Sequence, residues 1–463
     1  MTRTRKANAA MGPAVEISPM NPAPPLPTGN AQTTGRFVVI FKDKVDGAAA
    51  ASALSKSAGI KDVVSSAEYE GAGFSAEDLA GGGAAYFPQL GICIVSADSQ
   101  QMQSMSMSAD DTDGSILAIE PEYIAYASVL PHEAGLGSAP LDYLRGYRDA
   151  VNHLYDQLTG ATQSRSGEAE IMEVFQDNAQ FTWGLLATRV NTSPFSGQGV
   201  KVAILDTGFD LQHPDFVGRP IISQTFVAGQ AVQDGFGHGT HCAGTACGPQ
   251  HPNATRRYGI AYNAQMYIGK VLSNQGSGAT GGIIAGIEWA MGQGCRIVSM
   301  SLGANINQKI LQYEVPIRRA LAAGTLVIAA AGNNANRSAG NFGFVTPPAN
   351  ADAAMAVAAL NSHLAVADFS ARSSVVTGEG GKVNIAGPGV NVFSSWPMTI
   401  APTRYNTISG TSMATPHVAG IAALWSQATG LTGAALWTKI TQTARSLIAP
   451  SVDVGSGLVQ APQ

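Results

Sequence analysis

Charge is scarce in this sequence. Only 13% of its 463 residues are Asp, Glu, Lys or Arg, and the formal net charge is −5. No cluster of Lys and Arg forms the footprint that a nucleic-acid partner demands, so that class is set aside. Long apolar runs are lacking too. None reaches the roughly 18 residues that a membrane-spanning helix needs. Cysteine is limited to Cys93, Cys242, Cys247 and Cys295, too few and too scattered for a disulfide framework or a zinc pattern. Cys242 and Cys247 are expected on one helix, where bridging geometry is poor, and all four read as small buried hydrophobes. Behind Arg3, Arg5 and Lys6 there is no apolar core; Pro22, Pro24, Pro25 and Pro27 stand there instead. Residues 1–35 therefore read as a flexible Pro-rich lead and not as a secretory signal peptide. A cytoplasmic location, a misassigned start and another export route all stay open.

Small and apolar residues are plentiful. Hydrophobic residues make up 45%, and glycine occupies 53 positions, enough to bury a sizeable core and to shape tight loops around a cleft. At this length two or more domains are expected. The most informative stretch is Gly410-Thr411-Ser412-Met413-Ala414-Thr415-Pro416-His417, followed by the apolar run from Val418 to Trp425. It suits a serine nucleophile at a helix start. A serine hydroxyl is inert at its own pKa and needs a base and an orienting group. Both candidates lie upstream. Asp206 ends the apolar run that begins at Val200, like a carboxylate at the carboxyl end of a buried strand. His238 sits among small residues in Gly237-His238-Gly239-Thr240-His241. Asp, His, Ser is one of three convergent orders of the hydrolytic triad. His213, His241 and His417 read as structural.

These motifs resemble the signature blocks of the subtilisin-like serine proteases, the subtilases. Asp206-Thr207-Gly208, His238-Gly239-Thr240-His241 and Gly410-Thr411-Ser412-Met413-Ala414 match three blocks in order. Ala330-Ala331-Gly332-Asn333 matches the segment that carries the family's oxyanion-hole asparagine. The resemblance runs from about Trp183 to about Val459. It implies that Ser412 attacks a peptide carbonyl, His238 shuttles the proton, and Asp206 orients and stabilises the imidazolium. Asn333, with the Ser412 N–H, would hold the oxyanion. Substrate would bind as an added strand between Gly276-Ser277-Gly278 and Ser301-Leu302-Gly303. Thr346 lies in the segment resembling the floor of the pocket for the residue before the scissile bond. The family often has Gly there, so Thr346 predicts a shallower pocket suited to medium apolar residues. The chemistry needs no cofactor and no metal. Asp215 matches a calcium ligand of the family, but Arg256 and Arg257 in the partner loop would repel a cation, so a structural Ca2+ stays open.

Apolar strand runs (201–206, 266–272, 296–301, 325–330, 354–360) alternate with small-residue helices (from His238, 281–292 and 311–323). This predicts an α/β fold, a parallel sheet with helices on both faces and chemistry at the strands' carboxyl ends. The expected catalytic domain spans residues 183–463. Residues 36–127 read as a separate small unit. It runs strand 37–41, helix 46–58, a second strand from Tyr86 through Val95, helix 99–108 and closing strand 116–127, the order of a ferredoxin-like α+β fold. Its position and ending resemble the inhibitory prodomain of subtilases, whose last strand leads a tail into the cleft. Residues 128–182 match no family block. The spacing of Leu141, Leu144, Tyr147, Val151, Leu154 and Leu158 predicts an amphipathic helix, with a short helix over 168–176, within a helical linker or insert.

The expected function is a serine endopeptidase acting on protein or peptide substrates through an acyl-enzyme. It would be made as a self-processed precursor, with its own prodomain as intramolecular inhibitor and a cut near Tyr126 to Leu130. Two alternatives stand beside it: a dedicated processing protease for one peptide precursor, and a catalytically silent binding protein of the same fold.

Overall fold

The computed structural model of the chain describes residues 32–43, 45–68, 83–109, 114–127, 174–253, 255–374, 376 and 380–463. The amphipathic helix expected within residues 141–158 lies outside these. Of the helix expected over 168–176 only residues 174–176 are described, and they are not helical.

A first sheet is built by β1 (Thr33–Phe41), β2 (Val63–Ser65), β3 (Ala84–Phe87), β4 (Ile92–Val95) and β5 (Ile116–Ala127). Its order is β5-β1-β4-β3-β2, antiparallel except for the edge pair of β2 and β3. β1 starts at Thr33, inside what reads as the lead. The stretch from Tyr86 to Val95, expected as one strand, is a hairpin in which Phe87 pairs with Ile92. Gly91 makes the turn at φ +59°, a left-handed conformation that glycine adopts without steric penalty. Side chains alternate across a strand, and β1 uses both faces. Val39 and Phe41 pack with Ala50, Leu54 and Met105 of the helices Gly47–Ala58 and Ser99–Ala109. Val38 and Ile40 face the other way and join a larger core.

That larger core surrounds a second sheet. It contains β6 (Lys201–Asp206), β7 (Ile221–Thr225), β8 (Gln265–Lys270), β10 (Ile297–Met300), β12 (Leu326–Ala330), β13 (Met355–Leu360) and β14 (Ile385–Pro388). Short strands β9 (Ser277–Ala279) and β11 (Leu302–Gly303) lie outside it, and β15 (Val392–Ser395) pairs with β16 (Tyr405–Ile408) as a hairpin. The order is β14-β13-β12-β10-β6-β8-β7, with every pair parallel. Both faces are covered, which is why these strands read as unbroken apolar runs. On β6, Ala203 and Leu205 pack with Ile283 and Ile287 of helix Thr280–Gly292 and Ile317 of helix Leu311–Ala322. Val202 and Ile204 pack with Ala243 of helix His238–Cys247 and Val418 of helix Thr411–Thr429.

The first sheet docks on the helices Thr280–Gly292 and Leu311–Ala322. Glu120 and Glu122, two apart and so on one face of β5, each meet a helix start. Glu120 accepts the Leu311 and Gln312 N–H groups at 2.8 and 2.9 Å. Glu122 accepts the Gly281 N–H at 2.8 Å and pairs with Arg36 at 2.7 Å. Carboxylates there satisfy first-turn donors and complement the helix dipole. Arg319 reaches back to the β3–β4 turn and the Phe41 carbonyl, and pairs with Asp43 at 2.8 Å. A Cβ on Gly91 would meet Arg319 Nη1 at 2.2 Å, so the turn glycine also admits this clamp.

Candidate active site

The parallel sheet brings three strand ends together. Asp206 ends β6, Ser301 follows β10 and Asn333 follows β12, all at carboxyl ends, where open α/β sheets place their chemistry. His238 opens helix His238–Cys247, and Ser412 lies in the first turn of helix Thr411–Thr429. His238 Nδ1 donates to Asp206 Oδ1 at 2.7 Å, with both side chains buried. Asp206 Oδ1 also accepts the Thr207 N–H at 2.7 Å. Burial alone would push the imidazole pKa down, yet the Asp206 carboxylate holds it well above the ordinary 6.5. Cys242 Sγ lies 3.9 and 4.0 Å from the ring nitrogens. Its own pKa is raised by burial, which keeps it a neutral thiol, so Asp206 is the charge that acts on His238.

Pro416 explains a local oddity of the serine helix. A helical residue normally donates its N–H to the carbonyl four residues earlier, and proline has none to give. The Ser412 carbonyl instead accepts Ser301 Oγ at 2.8 Å and Cys242 Sγ at 3.5 Å. Ser412 Oγ donates to the Ser301 carbonyl at 3.3 Å, so Ser301 and Ser412 are tied in both directions. Asn333 is oriented by Thr411, whose N–H and hydroxyl donate to Asn333 Oδ1 at 2.9 and 2.8 Å.

The support beneath these residues was not read from the sequence. Asp234 is fully buried and accepts five hydrogen bonds. Thr207 Oγ1, the Phe236 N–H and the Gly237 N–H reach Oδ1 at 2.9, 3.0 and 2.7 Å. The Thr240 N–H and hydroxyl both reach Oδ2 at 2.8 Å. It caps the His238 helix and joins it to the Asp206-Thr207 strand end. An Asp just ahead of a helical run is an N-terminal signal that could have exposed it. Lys270 lies buried nearby, donating to the Thr207 carbonyl and to Asn274 Oδ1 at 2.8 Å. Burial pushes its pKa down to about 8 against the pull of Asp234 and Asp206, so at neutral pH its positive charge offsets these carboxylates.

Two other buried histidines, His241 and His417, stay neutral. Burial pushes His241 down to about 3 and His417 to about 4. Their rings bond to the Val392 and Met413 carbonyls at 2.9 and 2.8 Å, and His213 bonds to the Arg404 carbonyl at 2.8 Å. All four cysteines are free and buried.

Asp215 does not present a calcium site. Its oxygens accept the Asn253 N–H at 2.7 Å, the Tyr258 hydroxyl at 2.5 Å and the Tyr405 hydroxyl at 3.1 and 3.2 Å. Hydroxyl and amide donors point hydrogens at this carboxylate where a Ca2+ site would need further oxygen ligands. Arg256 pairs with Asp177 at 3.2 Å, and Arg257 donates to the Gly259 and Ile260 carbonyls. Among the described residues, the one His/Cys/Asp/Glu cluster with metal-like spacing is Asp206, His238 and Cys242 itself.

The two segments expected to flank substrate are already bridged. β5 lies antiparallel between β9 and β11. Tyr126 is opposite Ser277, Ala125 opposite Gly278, Ala127 opposite Leu302 and Tyr126 opposite Gly303. The Ala127 N–H donates to the Gly276 carbonyl at 2.8 Å. Thr346, buried, donates its N–H to the Ala331 carbonyl at 3.0 Å. Its side chain stands between Gly303 and Gly332.

Comparison with known proteins gives a consistent result. The family profile described as Peptidase_S8, Subtilase family, matches residues 197–458. Subtilisin DY of Bacillus licheniformis is 37% identical over 275 residues, 59% of this chain and 93% of that protein. A thermostable alkaline protease of Halalkalibacterium halodurans is 33% identical over 373 residues, 78% of this chain and 94% of its own length. That share is larger than residues 183–463 alone, so the likeness extends upstream of them. A cuticle-degrading protease of Metarhizium anisopliae is 40% identical over 269 residues, 56% of this chain, and there the chain spans only 62% of the relative.

Proposed function

The chain belongs to the subtilase family of serine endopeptidases, and from that premise we propose that Ser412, His238 and Asp206 carry out its peptide-bond hydrolysis. The observation that carries this reading is the buried 2.7 Å bond from His238 Nδ1 to Asp206. It assigns the Nδ1 proton to the carboxylate side and leaves Nε2 as the ring's base. Ser412 Oγ passes its proton to Nε2 as it bonds to the substrate carbonyl carbon. His238 then returns the proton to the leaving amine, and a water repeats the sequence on the acyl-enzyme ester. With Asn333 Oδ1 committed to Thr411, the amide nitrogen is the end that donates to the oxyanion, beside the Ser412 N–H. No cofactor enters.

The same reading makes residues 36–127 an inhibitory prodomain of a self-processing precursor. β5 supports it: this strand occupies the slot between Gly276-Ser277-Gly278 and Ser301-Leu302-Gly303 that a substrate would enter by strand addition. The buried Asp–His pair weighs against a silent binding protein. A fluorophosphonate probe should label wild-type protein at Ser412. Ser412→Ala should lose labelling and retain only the hydrolysis that binding and the oxyanion hole supply. Retention of most wild-type turnover by Ser412→Ala would refute the assignment.

A further inference from the structure

We propose that Lys270 is a positioning residue for the hydrolysis: its buried ammonium pins the segment expected to flank substrate to the Asp206 strand end, and its charge opposes protonation of His238. The inference rests on the triad reading above and adds a residue that touches no reacting atom. Lys270 ends β8 and lies opposite Asp206 at the end of β6. The Asp206 carbonyl accepts the N–H groups of Val271 and Leu272 at 2.9 and 3.0 Å, and from there the chain runs to Gly276-Ser277-Gly278. A tight turn comes first, in which the Gly276 N–H donates to the Ser273 carbonyl at 2.9 Å. Lys270 Nζ donates to the Thr207 carbonyl and, at 2.8 Å, to Asn274 Oδ1 within that turn. Asn274 Oδ1 also accepts the Gly235 N–H at 3.1 Å, and the Asn274 N–H donates to Gln230 Oε1 at 2.8 Å. A Cβ on Gly235 would meet Asn274 Cγ at 2.6 Å, so glycine there admits the contact. Directly or through Asn274, one ammonium joins three segments: the strand end that carries Asp206, the Asp234 loop that opens the His238 helix, and the turn that leads into β9.

The choice of an ammonium needs a reason beyond these bonds. A neutral amide could donate to the same two oxygens, whereas Lys270 is buried and burying an ammonium is costly. That cost is offset by Asp234, in the loop before the His238 helix, and Asp206, on β6, the two carboxylates whose charges act on it. The groups in direct contact with Nζ, the Thr207 carbonyl and Asn274, are neutral. Lys270 is therefore a counter-charge bonded one residue away from the carboxylate that receives His238 Nδ1. Asp206 by itself favours the imidazolium, and a second cation beside it disfavours one. The ammonium thus keeps His238 available as a base at lower pH than Asp206 alone would allow.

Two substitutions at the exposed Asn274 separate the tie from the charge, each made in the full chain and assayed as the active enzyme it yields. Asn274→Ala removes the acceptor and keeps the ammonium. On peptide amides long enough to pair with β9, KM should rise about 3- to 10-fold, while a single-residue ester, which does not reach β9, should show no change. Asn274→Asp keeps the acceptor and sets a carboxylate against Lys270 Nζ. On the ester, the acid limb of kcat/KM should move up by about half a pH unit or more, with KM for long peptides unchanged. Gln275→Glu adds the same charge one residue along without the contact to Nζ and should move the limb less. Lys270→Met should show both effects. Unchanged KM for long peptides in Asn274→Ala, or a rise shared equally by the ester, overturns the tie. An acid limb that stays in place in Asn274→Asp, or moves equally in Gln275→Glu, overturns the role of the charge, and a folded Lys270→Met that matches wild type overturns both. Retention of most turnover by Ser412→Ala would strike instead at the triad reading, whatever the Asn274 variants show.

Discussion

Asp234 makes no contact with a reacting atom in the scheme above, yet its loss should disable the enzyme. Five donors converge on its buried carboxylate, from Thr207, Phe236, Gly237 and Thr240. Asp234→Ala removes the acceptor and strands those donors where water does not replace it. Breaking a buried charged network from one side costs about 3–5 kcal/mol, and part of that is a lost helix cap worth about 1 kcal/mol. Asp234→Asn keeps one carbonyl oxygen but turns NH2 hydrogens toward N–H or O–H donors, so a loss of about 2–3 kcal/mol is expected. The second effect is on geometry. Thr207 Oγ1, held by Asp234, accepts the Gly239 N–H at 2.8 Å, so the Asp206 strand end and the His238 helix are locked together through this residue. Displacing His238 by about 1 Å should lower kcat by about 100-fold with little change in KM. Stability is best followed by thermal unfolding in a Ser412→Ala background, which removes self-digestion, and kcat in the otherwise wild-type enzyme. Asp234→Ala unfolding within about 0.5 kcal/mol of its parent, as a surface substitution would, together with normal kcat, would refute the reasoning.

Two pH dependences follow. His238 must be neutral to accept a proton, so kcat/KM should fall as pH drops through a pKa above 6.5, since Asp206 raises it against burial; an acid limb at or below 6.5 would contradict this. The linked stability has the opposite sense: the Asp206–His238 pair contributes fully below 6.5 and is lost as pH rises through the raised value. Glu288, on the docked helix Thr280–Gly292, is raised to about 7 by burial against hydrogen bonds from Ser66 and the Gln89 and Leu90 backbone. The docked carboxyl therefore holds its proton better than a free one near 4.5. Docking should be tightest below 4.5 and weaken as pH rises to about 7, by at most about two orders of magnitude. Release of the cut small unit, followed by gel filtration across pH, should lose this slope in Glu288→Gln; an unchanged slope would assign the effect elsewhere.

The sequence displayed what burial on both faces makes visible. Strands of the parallel sheet's interior read as unbroken apolar runs, and Lys201–Asp206 was bounded to the residue. The strands that escaped notice are its two edges. β7 carries Ser223 and Gln224, partly exposed, and β14 is short and ends in Gly387 and Pro388, which an edge tolerates. Gly91 was taken within a strand because its neighbours are apolar; its left-handed φ is a tertiary choice that also admits Arg319. Asp206, His238, Asn333 and Ser412 stood out because each sits in a dense local motif. Lys270 did not, because the Thr207 carbonyl it bonds lies on another strand end; Asp234 bonds mostly to residues 236–240, a local capping signal that went unread, and only its Thr207 partner is supplied by the fold. Glu120 and Glu122 left a faint signal, two acids at period two in a largely apolar strand. What they cap lies well over a hundred positions away.

Among the described residues the docked unit holds the rest of the chain at several separate places, including two helix starts, the Arg319 clamp, the Glu288–Ser66 contact and the strand between β9 and β11. On the self-processing reading proposed above, a cut after that strand would sever none of them. The freed end of β5 would stay tethered at an effective concentration on the order of millimolar. A dissolved substrate would then compete with that tethered end, and a single lost contact would merely invite rebinding. Activity would wait for the whole body to leave or be digested, so a lag after the cut would be a property of multivalent attachment and not of slow chemistry.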